Sequence, residues 1–266
     1  MVTPSSFDPM PPGTARRPQV RFDAIGEAWE LFTDQMGAWI GAQLLLIGIC
    51  LAVFLFVSVV ILGIVALSGM EPEGRKAASG MVPLLLGISA VAALPLLCWL
   101  TAGLYRMAVR QVRGERIGAL DLFHAGDVWL PALGASLVIG IVVCIGYHFF
   151  FLPGMILGGL LMLTLPLIVD RRLGVMDALQ QSWNALKTEW LMAGLFYFVL
   201  GLVSSLGAIV IIGALFTYPL VFLGQAIVYR DFFLVQPVPS PMTPTAAMFD
   251  MPPLERRSPP PAPPLV

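Results

Sequence analysis

Residues 129–169 and 190–229 run for 41 and 40 residues without one Asp, Glu, Lys or Arg, and residues 39–68 do so for 30. No other feature limits the fold as strongly. A helix of about 20 residues at 1.5 Å per residue crosses a hydrocarbon core of about 30 Å. Inside that core every backbone N–H and C=O must be satisfied within the segment, which leaves helices or closed barrels. Blocks of such length without strand alternation are helices, and the two longest are helical hairpins. A composition of 58% hydrophobic and 12% charged residues, with a mean hydropathy of +0.87, excludes a soluble domain. The expected fold class is an all-α membrane protein.

Taken in order, the spans are 39–68, 81–105, 129–150, 154–169, 190–206 and 208–229. They make one six-span membrane domain over 21–235. Pro153-Gly154 marks the turn of the first hairpin, because proline removes a donor and glycine admits positive φ. Residues 204–207, Ser-Ser-Leu-Gly, mark that of the second. The first twenty residues hold five prolines and no apolar run, so no cleavable secretory leader is expected there. Residues 236–266 hold eleven prolines and too little apolar surface for a core. Both ends, 1–20 and 236–266, read as disordered Pro-rich tails. Within the second, Arg257, Pro260 and Pro263 fit a pattern that docks aromatic grooves in polyproline II form, which offers a cytoplasmic protein partner.

The polar segments between the blocks have their own periodicity. In 171–190 the apolar residues Val175, Leu179, Trp183, Leu186 and Trp190 recur at helical spacing opposite Asp177, Gln180, Gln181, Asn184 and Lys187. Phe22, Ile25, Trp29, Phe32 and Met36 do the same opposite Asp23, Glu27, Glu30 and Asp34. Two amphipathic helices in the headgroup region are expected, and the arginine-rich connection 106–128 is a candidate third. A shift of 154 residues superposes Asp23-Ala24 on Asp177-Ala178 and Trp29 on Trp183. Pro95 precedes Tyr105-Arg106 by the interval at which Pro219 precedes Tyr229-Arg230, and Pro166 opens the same pattern. Together these suggest a parallel internal repeat, with helix kinks at Pro95, Pro166 and Pro219. Trp29, Trp39, Tyr105, Arg106, Trp129, Trp183, Trp190, Tyr229 and Arg230 are the expected membrane-interface anchors.

Chemistry is sparse. All sixteen acidic and fifteen basic residues lie outside the six spans, and a net charge of −1 gives no field for nucleic acid. His148, beside Tyr147 and Phe149, reads as an interfacial residue. Asp121, His124 and Asp127 do not share one helical face, so no metal is expected. Cys50, Cys98 and Cys144 form no ligand pair and read as small core residues. Gln43, Thr101 and Gln225 are polar groups placed to bond between spans, and the Gly37/Gly41 and Gly154/Gly158 spacings permit close helix contact within the monomer. No catalytic constellation and no cofactor site is expected.

The order of an interfacial helix, long spans, RGERIGALDLFHAG, LPLIVDRRLGVMDALQQSW and AIVYRDF resembles uncharacterised bacterial polytopic membrane domains, including those fused to glycerophosphodiester phosphodiesterases. The likeness covers about 21–235. It implies a six-helix domain and no activity, and the Pro-rich tails depart from it. Two functions fit: a non-enzymatic scaffold or modulator of partners or membrane lipids, and, as the alternative, a carrier or exporter of a lipid-like or apolar solute. A cavity within the helices would favour the carrier, a solid bundle the scaffold.

Thirteen Lys and Arg lie in the segments before 39, within 106–128 and 170–189, and after 229, against two, Arg75 and Lys76, on the other side. That bias puts both termini in the cytoplasm and the protein in the plasma (inner) membrane of a bacterium. In intact cells, a cysteine introduced at Gly74 should react with an impermeant thiol reagent and one at Gly118 should be shielded. The opposite pattern inverts the topology.

Overall fold

The computed structural model describes residues 19–68, 72–209 and 211–234; most of both tails, including Arg257, Pro260 and Pro263, lies outside the described residues. Among the described residues every regular element is helical. They are α1 (Asp23–Asp34), α2 (Met36–Ser68), α3 (Pro72–Val112), α4 (Trp129–Phe149), α5 (Phe151–Leu161), α6 (Thr164–Arg171), α7 (Val175–Leu186), α8 (Trp190–Ile209) and α9 (Ile211–Tyr229). Short 3₁₀ turns cover Ala119–Phe123 and Lys187–Glu189, and a π turn follows α9 at Arg230–Leu234.

Among the described residues, five stretches are long and apolar enough to cross a membrane: Met36–Gly63, Val82–Val112, Trp129–Phe149, Phe151–Arg171 and Val175–Ile209. Their outer surfaces suit lipid rather than water. Phe54, Phe56 and Leu62 on α2 are 62%, 70% and 69% exposed, an apolar display that a water-soluble monomer does not carry.

Helix boundaries follow from local chemistry. α4 ends at Phe149, Phe150 is extended (φ −162°, ψ 151°) and α5 opens at Phe151, so Pro153 occupies the first turn, where a missing N–H costs nothing. α5 and α6 form one 21-residue stretch, Phe151–Arg171, longer than the expected 154–169. It is interrupted at Met162 and Leu163. Pro166 cannot donate to the Met162 carbonyl one turn back, which accounts for the break. α3 runs unbroken through Pro83 and Pro95, as α9 does through Pro219, so Pro166 alone of the three expected kinks coincides with an interruption.

Two sequence expectations shift. α3 starts at Pro72, so most of the segment expected as a loop before 81 is helical. α8 continues as helix through 204–207 to Ile209 and α9 opens at Ile211, so the second hairpin does not turn at 204–207. Ser205 Oγ donates to the Gly201 carbonyl at 2.8 Å and keeps its hydroxyl within the helix. Gly207 serves closeness instead of turning, since a Cβ there would stand 2.0 Å from Thr217 Oγ1 on α9.

The helices close into a ring: α3 packs on α4, α4 on α5, α5 on α8, α8 on α9 and α9 on α3, while α2 lies outside against α3 and the 119–123 turn. α1 packs on α9, and α7 packs on α4, α5 and α6. α5 crosses α8 closely, backbone against backbone: a Cβ at Gly159 would meet the Ala193 carbonyl carbon and oxygen at 2.5 Å. Of the two expected glycine pairs, Gly154 and Gly158 face the rings of Tyr147 and Tyr197, and Gly41 faces Ala119, whereas Gly37 meets nothing. Gly159→Val should therefore lower stability by about 2 kcal/mol or more through overpacking. Gly140→Ala, at a position with open space, should leave thermal unfolding of the purified protein nearly unchanged.

Candidate functional site

At one end of the ring the charged segments converge. Arg21 precedes α1 and Arg230-Asp231 follows α9, and the two ends are clasped through Glu27 of α1. Arg21 Nη2 lies 2.9 Å from Glu27 Oε2 and its Nε lies 2.8 Å from Asp231 Oδ2. Arg230 pairs with Glu27 and, at 2.9 Å, with Asp231 Oδ1. Burial alone would push the Arg230 guanidinium down, but its hydrogen bond to Glu27 and the charges of Asp231 and Glu27 outweigh it and hold the group above its ordinary value. The Val20 N–H donates to Glu189 Oε2 at 2.6 Å and ties the same segment to the start of α8.

A second joint forms around Asp170 at the end of α6. Tyr229 Oη donates to it at 2.5 Å, and Arg113, just past the end of α3, lies 2.5 Å from the same carboxylate. α3 stops there because Gly114 adopts φ +82° and Glu115 N–H returns to the Arg110 carbonyl at 3.1 Å, a left-handed glycine cap. Arg106 and Arg172 both bind Asp127, at 2.8 and 2.9 Å. The hydrogen bond from Arg106, ahead of all other influences, holds the Asp127 carboxyl below its ordinary value. Asp121 takes Arg110 at 3.0 Å and the Gly118 N–H at 2.9 Å. The carboxylates of the Asp121, His124 and Asp127 set are thus engaged by arginines.

The expected anchors divide into two kinds. Trp29, Trp129, Trp183 and Trp190 are 41–48% exposed, on the outside of the protein. Trp39, Tyr105 and Tyr229 are buried and bonded inward: Trp39 Nε1 to Gln111 Oε1 at 2.7 Å, Tyr105 Oη to Gln225 Oε1 at 2.7 Å, and Tyr229 to Asp170. Arg106 and Arg230 are the ion-paired groups just described. Gln111 Nε2 passes the Trp39 bond on to the Leu31 carbonyl. Gln43 is buried, yet its amide nitrogen has no partner among the described residues. Cys50 and Cys98 are half-buried and Cys144 is exposed, so the cysteines are not all core residues.

Between the helices of the ring lies a cavity of about 540 Å³ that opens to the outside, where its lining residues Tyr147, Phe151, Leu202 and Tyr218 are 40–55% exposed. Tyr105, Tyr147, Tyr197 and Tyr218, four of the chain's five tyrosines, line it. Thr101, Ser204, Ser205 and Gln225 supply the remaining polar groups, and among the described residues no Asp, Glu, Lys, Arg or His reaches its wall. The sequence reading singled out Tyr105, Thr101 and Gln225 but not the other tyrosines. Their signal was polarity confined to otherwise apolar spans. No family model, curated protein or solved structure matches this chain.

Removing Glu27 leaves two part-buried arginines with one carboxylate between them. Glu27→Ala should cost about 1–3 kcal/mol in unfolding free energy, read by denaturation in mild detergent. Glu30→Ala, on the exposed side of α1, is the control expected to change little.

Proposed function

We propose that this chain is a six-span integral membrane protein that binds an apolar or lipid-like molecule inside its helical ring and acts as its carrier, without catalysis. The observation that carries the reading is the cavity of about 540 Å³, of ligand size and walled by apolar and hydroxyl-bearing side chains. A scaffold needs no such space. The spans are α2, α3, α4, α5 with α6, α8 and α9, and α1 and α7 lie at the interface.

Convergence of the charged segments supports that count, because the chain between each consecutive pair must leave their common end and come back to it. The Lys and Arg bias argues for a cytoplasmic placement of that end in the plasma (inner) membrane. Surrounding lipid covers the outward faces, and the Pro-rich tail, through Arg257, Pro260 and Pro263, offers a site for a cytoplasmic protein. The resemblance to the six-helix bacterial membrane domains agrees with this reading.

Photolabelling of the full chain in proteoliposomes with a diazirine-bearing alkane tests it. Labels are expected on cavity-facing residues such as Tyr197 and Phe222 as well as on lipid-facing residues of α2. Labelling restricted to the outer faces would contradict an occupied cavity.

A further inference from the structure

Resting on the reading of the cavity as a ligand site, we propose that its ligand is a single-chain amphiphile with an uncharged hydroxyl head, held at Tyr105 and Gln225. Size sets the first limit. At about 30 Å³ per water-sized atom, 540 Å³ takes on the order of eighteen heavy atoms. One chain of medium length with a small head fills that space, and a whole two-chain phospholipid exceeds it.

Charge sets the second limit. Among the described residues no ionised side chain lines the wall, so an anionic or cationic head held there would lack a counter-charge. The remaining polar chemistry is directional. Tyr105 and Gln225 are 7% and 4% exposed, and the tyrosine hydroxyl donates to Gln225 Oε1 at 2.7 Å. That bond uses the Gln225 carbonyl oxygen and the Tyr105 proton, which leaves the Gln225 amide N–H groups and the lone pairs of Tyr105 Oη for a ligand. An alcohol satisfies both at once, accepting from the amide and donating to the tyrosine. A carboxylate or sulfate can only accept, and an ammonium meets no carboxylate.

Gln225 lies one helical turn inward from Tyr229, which is bonded to Asp170 at the charged end. Tyr147 and Phe151 line the cavity beside the α4–α5 turn, at the other end of those helices. The hydroxyl therefore sits towards the charged end, with the chain pointing away from it.

The test uses the full chain in lipid nanodiscs and radiolabelled tetradecan-1-ol, tetradecane, tetradecyl sulfate and tetradecyltrimethylammonium, with empty nanodiscs as blanks. The alcohol is expected to bind saturably, the alkane about tenfold more weakly, the worth of one net hydrogen bond. The two charged chains should not compete.

Combining Tyr105→Phe with Gln225→Leu should bring the alcohol down to the affinity of the alkane and leave the alkane unchanged. Gly201→Phe, at a cavity-lining position whose Cβ meets open space, should abolish binding of both. Equal binding of alcohol and alkane, indifferent to the double substitution, overturns the hydroxyl site and leaves the cavity reading intact. A charged chain that outcompetes the alcohol also overturns it. Absence of saturable binding by any probe, or binding unaffected by Gly201→Phe, overturns the cavity reading as well. The probe comparison on the unaltered chain decides the head chemistry even where a variant fails to fold.

Discussion

The Asp170 carboxylate is the joint on which the arrangement of the ring depends. It is 7% exposed and takes the Tyr229 hydroxyl and the Arg113 guanidinium together, so the ends of α3, α6 and α9 are drawn to one point. A buried carboxylate left without partners would be costly, and its two partners come from helices distant in sequence, which makes the joint selective for one packing of the ring. The neighbouring clasps, Glu27 with Arg21 and Arg230, and Asp127 with Arg106 and Arg172, repeat the device at the ends of α1, α9 and α3.

These pairs change the meaning of the arginine-rich segments. Within 19–34, 106–128, 170–189 and 230–234 there are nine Lys and Arg against eleven Asp and Glu. The cations that bias topology are largely spent on carboxylates of the same protein, so attraction to anionic lipid is not what holds this end together. It is a polar plate built by mutual neutralisation, and the cavity of the ring it closes is lined by tyrosines, hydroxyls and one amide.

The membrane class was legible in the sequence because the demand for backbone hydrogen bonds in hydrocarbon admits few solutions. The break between α4 and α5 was legible only to within a few residues: Pro153 and Gly154 lie in the first turn of α5, where proline is tolerated, and the chain turns at Phe150. The 204–207 turn was misread, since a serine can bond within a helix and a glycine can serve closeness, and neither use differs in sequence from a turn. Trp39, Tyr105 and Tyr229 were read as membrane-interface anchors, and their inward bonds were not legible, because the partners stand 72, 120 and 59 residues away, beyond any local pattern. The 154-residue echo extends to burial: Ala24 with Ala178, Ala28 with Ser182 and Phe32 with Leu186 are all fully buried, and Trp29 and Trp183 are 47% and 43% exposed. Yet α1 rests on α9 and α7 on α4, α5 and α6, so like faces meet unlike neighbours. The cavity arises from α3, α4, α5, α6, α8 and α9 together and has no local signature beyond its tyrosines.

The central claim, that these distant segments meet at one end of the ring, is tested most directly by thiol cross-linking in native membranes. In a chain whose three native cysteines are replaced, cysteines at Val20 and Glu189 should be bridged by a short bifunctional thiol reagent, since the Val20 N–H and the Glu189 carboxylate are 2.6 Å apart. A pair at Val20 and Phe150 should not, because α4 carries the chain about 30 Å from the charged end before it turns. Efficient bridging of the second pair and none of the first would contradict the arrangement.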